Sequence, residues 1–292
     1  MTSLSPDNEI EVINRVIIIG MVTVEHPANP HGGIPLRLLA NGLLPLLVEP
    51  WTQQAEYDDA RILLSNSDIP VLNKTIMPGE VNQPFTLNLP EALLSNGINQ
   101  IRLSVLRVGQ TIPETSQSLD VLFHRPRPGG EVSTPGDNPN LTLTLPSEVI
   151  TKGVDAAMAS QGVILTIRYP YMREKDVITV DRDSQEMTRT VSATEAAAGS
   201  VDIILRTADF WQDNPRFALR FRVTDLLGNS SGPQAIWSRT TYIDVHIRQP
   251  ALDLTKPRVL EARELNGERL NFERDFYDAQ FANVDVKYIG SA

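Results

Sequence analysis

Hydrophobic and polar residues alternate along 217–223. Phe217, Leu219, Phe221 and Val223 share one face of an extended chain, and Ala218, Arg220 and Arg222 share the other. A period of two predicts a half-buried strand. Thr224, Asp225, Leu226, Leu227, Gly228 and Asn229 follow, and the Asp with Gly-Asn predicts the turn that closes the strand. About 118 residues earlier the pattern recurs, with Ile101, Leu103 and Val105 alternating with Arg102 and Ser104 before Gly109. Each of these strands precedes another alternating run that ends at a proline. In one copy the run is Leu119, Val121, Phe123 and then Pro126; in the other it is Ile243, Val245, Ile247 and then Pro250. The pattern predicts an all-β chain built as a tandem repeat.

The remaining pieces fill in two units. Residues 10–24 read as a strand or hairpin with a near-continuous apolar face, and 27–35 as a turn-rich break. Residues 36–48 read as more strand, with Asn41-Gly42 as a hairpin signal. A loop over 51–57, strands over 60–64, 71–76 and 85–89, and one helical turn over 90–94 complete the first unit. Residues 124–140 hold four prolines and three glycines with no apolar period, the composition of a linker stiffened by proline. Gly42 and Pro50 lie eight residues apart, as do Gly162 and Pro170, and an aromatic follows each proline, Trp51 or Tyr171. An acidic residue then opens a short strand in each copy, Asp59 or Asp176. The expected organisation is an N-terminal strand plus first sandwich over 1–126, a Pro/Gly-rich linker over 127–140, a second sandwich over 141–250, and an extension over 251–292 that starts a third repeat. In that extension 284–288 matches 165–169. One strand cannot build a sandwich, so it must pair with an existing sheet or with another molecule, or else mark a truncated chain.

These residues carry a resemblance. Tyr169-Pro170-Tyr171-Met172 with Asp176, followed by Val223-Thr224-Asp225-Leu226-Leu227-Gly228-Asn229-Ser230-Ser231, resembles bacterial immunoglobulin-like repeats. It looks like the long arrays of pseudomonad surface and secreted proteins, and 256–262 resembles the junctions between their repeats. The match is good over 141–262 and partial over 36–126, where Gln110-Thr111-Ile112-Pro113 replaces the Gly-Asn turn; 1–30 show none. The resemblance implies two tandem immunoglobulin-like sandwiches of roughly 100 residues each, acting as spacer or adhesive modules. It brings no catalytic residues.

Composition narrows the picture. The chain has no cysteine, so disulfide staples and thiolate metal sites are excluded and apolar packing must hold each sandwich. A net charge of −10 repels phosphate backbones, which argues against nucleic acid as a partner. The apolar run at 16–22 falls short of the roughly 20 residues of a membrane span. Residues 1–9 are polar and acidic, without the basic start of a secretory leader. The expected location is the cell surface or medium by a leaderless route, with the cytoplasm as the alternative.

Candidate chemistry is sparse. No Gly-x-Ser-x-Gly, no compact Ser, His and Asp set and no phosphate-cradling glycine loop is present, so the sequence predicts no enzyme. The four histidines, His26, His31, His124 and His246, show no ligand spacing. Asp181, Asp183 and Glu186 place oxygens at near-alternating positions, as a calcium loop does, but Arg182 intervenes and no glycine marks a sharp turn. They read as a calcium site or as a solvated hairpin tip; Gly136-Asp137-Asn138 is a second oxygen cluster. Otherwise no cofactor is expected. Trp51, Tyr171 and Trp211 are the candidate contacts to a protein or a cell-surface glycan, set against a packing role. Val284, Val286 and Tyr288 are candidates for an assembly strand that joins copies edge to edge. Three functions are therefore in view: a structural or adhesive module, a lectin-like or receptor-binding module, and a self-assembling subunit.

Overall fold

A computed structural model describes residues 13–248 and four short strands over 253–254, 258–259, 284–285 and 288–289. The fold is an all-β sandwich, as the alternation predicts. The first repeat contributes β1 (Gly32–Ile34), β2 (Leu43–Val48), β3 (Asp59–Leu64), β4 (Leu72–Thr75), β5 (Phe85–Pro90), β6 (Gly97–Leu106), β7 (Glu114–Thr115) and β8 (Leu119–Phe123). One sheet runs β1-β8-β6-β3-β4, with β7 on β6, and the other is β2-β5. Alternate residues point inward. Leu44, Leu46 and Val48 of β2 and Leu87 and Leu89 of β5 form one buried cluster with Ile62, Ile101, Leu103, Val105, Val121 and Phe123. Burying a side chain of this kind is worth about 1.5–3 kcal/mol, so some ten of them hold the sheets together without a disulfide.

The second repeat contributes β9 (Thr142–Thr144), β10 (Val163–Arg168), β11 (Val177–Arg182), β12 (Gln185–Thr190), β13 (Val201–Leu205), β14 (Asn214–Thr224) and β15 (Thr241–Val245). Its sheets are β13-β10-β9 and β12-β11-β14-β15. The repeat is visible in the register. Asp59 pairs with Leu106 where β3 meets β6, and Val177 pairs with Thr224 where β11 meets β14, each partner 118 residues on.

Among the described residues, 13–145, 164–203 and 218–241 make one compact unit. The other holds 146–163, 204–217, 242–248 and the four short strands. In the second unit Phe210 packs against Phe217 at 5.8 Å between ring centres, and Val154 bridges Val245 in parallel.

Several expectations change. Residues 13–24 form no regular strand: Gly20 turns the chain at φ 90°, leaving single bridges Ile17–Leu47 and Val22–Gly33, while Ile13, Val16 and Ile18 are buried. Over 36–48 a 3-10 turn (Leu36–Leu38) and the Asn41-Gly42 turn precede β2, so the strand starts at Leu43. Three six-residue helices, α1 (Ser147–Lys152), α2 (Ala156–Gln161) and α3 (Ala193–Ala198), are elements the alternation does not announce. The described parts of the stretch at 284–288 pair within the chain. Here β18 (Val284–Asp285) pairs with β17 (Arg258–Val259), and β19 (Tyr288–Ile289) with β16 (Asp253–Leu254).

Each repeat also carries a serine clamp that the sequence does not reveal. Ser116 Oγ accepts the Leu103 N–H at 3.0 Å and donates to the Gln117 carbonyl; Ser238 Oγ accepts the Phe221 N–H at 3.0 Å and donates to the Arg239 carbonyl. Both serines are buried, so removing the hydroxyl strands a backbone donor at a cost of about 1–3 kcal/mol. Ser116→Ala and Ser238→Ala are each expected to lower the unfolding free energy by that amount, read as a lower urea midpoint at an unchanged m-value, and an unchanged midpoint refutes the clamp.

Candidate functional site at the repeat junction

The site is built on two buried carboxylates. Asp58 and Asp176 each stand just before a central strand and accept from an aromatic seven residues earlier. Trp51 Nε1 donates to Asp58 Oδ2 at 3.0 Å, and the Tyr169 hydroxyl donates to Asp176 Oδ2 at 2.9 Å. The loop N–H of Ala55 or Arg173 adds a second donor to the same oxygen. The connecting loops match in backbone too, with positive φ at Gln53 and Tyr171 and again at Tyr57 and Lys175. Trp51 therefore corresponds to Tyr169, not to Tyr171 as the prolines suggest. On that match Pro50 precedes its aromatic and Pro170 follows its own, so the two prolines are two positions out of step.

The two aspartates differ in their other oxygen. Asp58 Oδ1 accepts the Val108 N–H at 2.9 Å, whereas Asp176 Oδ1 is buried with no hydrogen-bond partner. Burial pushes the Asp176 carboxyl up to about 6, against the donors Arg173 and Tyr169. Burial and the neighbouring Asp176 together push the Tyr169 hydroxyl well above its usual range.

The turn after β14 is built around a third buried carboxylate, Asp225. Its Oδ1 accepts the N–H groups of Leu227 and Asn229, and its Oδ2 accepts from the Asn229 side chain. Burial works to raise this carboxyl, but His124 and Asn229 outweigh it and hold it below the usual carboxylate range. The wound turn then reaches the first repeat within the same compact unit. Asn229 Oδ1 accepts the Leu36 N–H at 2.8 Å. His124 Nδ1 stands 3.6 Å from Asp225 Oδ2, an ion pair when the imidazole is protonated. Leu227 is fully buried over Gly33, where any Cβ would overlap its Cδ2. Around this centre Lys175 donates to the Glu25 carbonyl at 2.8 Å and Arg173 to the Pro126 carbonyl at 3.1 Å. The Gly129 N–H donates to the Pro170 carbonyl at 2.9 Å, and the Asn138 N–H to the Trp237 carbonyl at 2.8 Å, so the Pro/Gly-rich stretch is hydrogen-bonded at both ends.

The expected ligand contacts separate. Trp51 is a correction: it is 4% exposed, its indole N–H is committed to Asp58 and its ring meets Phe85 edge-on at 6.5 Å, so it offers no face to a ligand. Tyr171 is half exposed, and Trp211, in the other unit, is partly exposed. For the suggested calcium loop, Asp183 and Ser184 form the two-residue hairpin between β11 and β12, with φ of 49° and 75°. Asp181 Oδ2 takes the Arg220 Nε at 2.9 Å and its Oδ1 the Ser184 N–H, while Glu186 lies 3.5 Å from Arg222. Arginines answer these two carboxylates, and among the described residues no cluster of three or more His, Cys, Asp or Glu is placed to hold a metal. Val284 is exposed on β18 and Tyr288 begins β19; Val286 lies outside the described residues. No helix among the described residues is long and apolar enough to cross a membrane.

No protein-family model matches the chain, and no match is found among curated proteins. Solved structures give distant likenesses. One is a Ca2+-stabilised adhesin described as helping an Antarctic bacterium reach out and bind ice, at 15% identity and TM-score 0.30, over 76% of this chain and 48% of that one. Another is a tetra-tandem repeat from the extending region of a large adhesion protein, at 16% identity and TM-score 0.32, over 77% and 51%. A third is the human OSCAR ligand-binding domain, at 12% identity and TM-score 0.27, over 69% and 88%. The chain spans about half the length of the two adhesion chains.

Asp176 gives the junction a signed pH dependence. Its folded pKa of about 6 lies above the ordinary 3.8, so the folded state binds the extra proton. Its contribution is fully present below pH 4 and is lost as pH rises through 6. Asp225, with a depressed value, has the opposite sign and acts below pH 4. Asp176→Asn, which keeps an acceptor for Tyr169, is expected to raise stability at pH 7 by about 1–3 kcal/mol and to flatten the pH 4–6 slope. Urea titrations across that window check both.

Proposed function

We propose that this chain is a non-enzymatic, immunoglobulin-like structural and adhesive module of a bacterial surface or secreted protein. It works as a spacer that holds contact loops for a protein or a glycan at fixed separation. The observation that carries the reading is the Asp225–Asn229 turn seated on Leu36, Gly33 and His124. Two sandwiches on a loose tether could point anywhere. A buried hydrogen bond and a leucine set on a glycine select one orientation, because each is lost on a small rotation. A module whose task is geometric requires this, and no convergent nucleophile, base and oxyanion set competes with it among the described residues.

A lectin-like or receptor-binding role is the second reading, resting on the exposed Tyr171 and Trp211. The left-handed backbone at Tyr171 adds nothing to it, since Gln53 has the same φ in the other repeat and follows from the loop.

The absence of cysteine makes the spacer reading simple to test. Spin labels on Ser67→Cys and Thr194→Cys, both exposed and in one unit, report the distance across the junction. The expected result is one narrow distance distribution that broadens in Asn229→Ala. A distribution already broad in the parent chain removes the spacer reading.

A further inference from the structure

Two side-chain atoms at the junction are buried without a hydrogen-bond partner, His124 Nδ1 on the first repeat and Asp176 Oδ1 on the second. Both belong to groups that a proton would complete, and both are tied to the same buried carboxylate, Asp225. The imidazole Nδ1 stands 3.6 Å from Asp225 Oδ2. Burial is the main cause that raises the Asp176 carboxyl, and the charge of Asp225 adds to it. The three side chains come from three elements: the end of β8, the loop before β11 and the turn after β14.

The other charged groups around them are already engaged. Arg173 gives its N–H to Asp176 Oδ2 and its guanidinium to the Pro126 carbonyl. The Tyr169 hydroxyl donates to Asp176, and the Lys175 ammonium to the Glu25 carbonyl. Arg125, next to His124, pairs with Glu91. Arg37 reaches the turn itself, with Nη1 3.8 Å from where a Cβ on Gly228 would stand. The cation paired with Asp225 is His124, and that pair joins one repeat to the other.

A separation of 3.6 Å is too long for a hydrogen bond to a neutral imidazole. Without its proton His124 therefore brings only a buried, unpaired nitrogen to the contact. With it, the same atom carries a charge opposite Asp225 in surroundings where charges are weakly screened. Histidine gains that proton within the range of about pH 5–8. With no proton bound, the imidazole and the two carboxylates carry two negative charges in a buried space; with one proton on His124 and one on Asp176 they carry none. Asp225 is held low by His124 and Asn229 against burial, so it stays charged while both neighbours gain protons.

We infer that His124, Asp225 and Asp176 form a proton-operated lock between the sandwiches, in which protonation of His124 and Asp176 fastens the turn after β14 to the first repeat and loss of those protons loosens it. The direction follows from linkage. Docking buries these groups against one another, so the docked state holds the two protons more tightly than an opened one, and acid favours docking. Once Asp225 itself takes a proton the ion pair is gone, which gives the lock a lower limit as well. The lock deepens the spacer reading and rests on it: a spacer built this way is stiff in mildly acidic surroundings and looser in alkaline ones.

Hydrogen exchange of the Leu36 N–H, which is bound across the junction to Asn229, reads the lock directly. The Leu103 N–H, bound by Ser116 inside the first sandwich, serves as the reference for unfolding. From about pH 8 to about pH 5, the protection of Leu36, corrected for the intrinsic effect of pH, is expected to rise at least about tenfold relative to Leu103, the linkage of one pKa unit. His124→Asn is expected to remove most of that rise, whereas Asp176→Asn, which imitates the protonated carboxyl, keeps the part due to His124. A rise shared equally by Leu103 overturns the inference, because it reports sandwich stability alone. A rise that survives His124→Asn in full overturns it too. Leu36 protected equally at both pH values sinks the lock and leaves the spacer reading standing; Leu36 unprotected at both sinks the two together.

Discussion

The fold turns on a carboxylate that has no business being buried unless its surroundings are built for it. Asp58 and Asp176 are both almost fully enclosed, and an unpartnered charge there costs several kcal/mol. Each loop before a central strand is therefore shaped to deliver donors. An aromatic seven residues back supplies a ring N–H or hydroxyl, and a loop N–H three residues back supplies another. Getting both onto one oxygen requires two left-handed residues, Gln53 and Tyr57 in one copy, Tyr171 and Lys175 in the other. The aromatic ring then becomes part of the core, and the strand after the aspartate starts in register.

A single exchange at the next turn decides what each copy does with its end. At the position after β6 Arg107 reaches Glu114 and the carbonyls of Thr52 and Gln53, and leaves the Val108 N–H to complete Asp58. At the matching position Asp225 collects the N–H groups of Leu227 and Asn229 in its own turn, and Asp176 Oδ1 is left without a partner. The cost is one bare oxygen and a raised pKa. The return is a turn wound tightly enough to project Leu227 and Asn229 onto the first repeat. Stability inside the second sandwich is exchanged for orientation between sandwiches.

Alternation makes the sheet centres legible: 101–105, 119–123, 217–223 and 243–245 all lie on strands with the expected face inward. Other elements have no such signal. In β12 no residue is buried, so nothing separates its two faces. Each of α1, α2 and α3 spans six residues, under two turns, too short for a helical period. The repeat is recognisable in sequence but its register at 48–51 is not, because proline spacing is a weaker constraint than the distance from aromatic to aspartate. Trp51 accordingly reads as a contact residue although its indole N–H is what satisfies Asp58. The junction is the least legible part. Asp225, Gly228 and Asn229 announce a turn, but nothing in their order says that Leu36, 193 residues away, needs a hydrogen-bond acceptor.

That the junction is polar at its centre has its own physical reason. An apolar seam of the same size would bind at least as well, but it tolerates sliding, since dispersion and hydrophobic burial have no preferred direction. The bond from the Leu36 N–H to Asn229 adds only about 1 kcal/mol when formed, yet breaking it while both groups stay buried costs about 1–3 kcal/mol. Rotation away from the observed pose therefore meets a steeper penalty than the bond's net contribution suggests. The glycine beneath Leu227 works in the same sense, because any larger residue there would displace Leu227 from its buried seat. Weak binding and strict geometry are compatible, and a chain whose two sandwiches are already covalently joined has need only of the second.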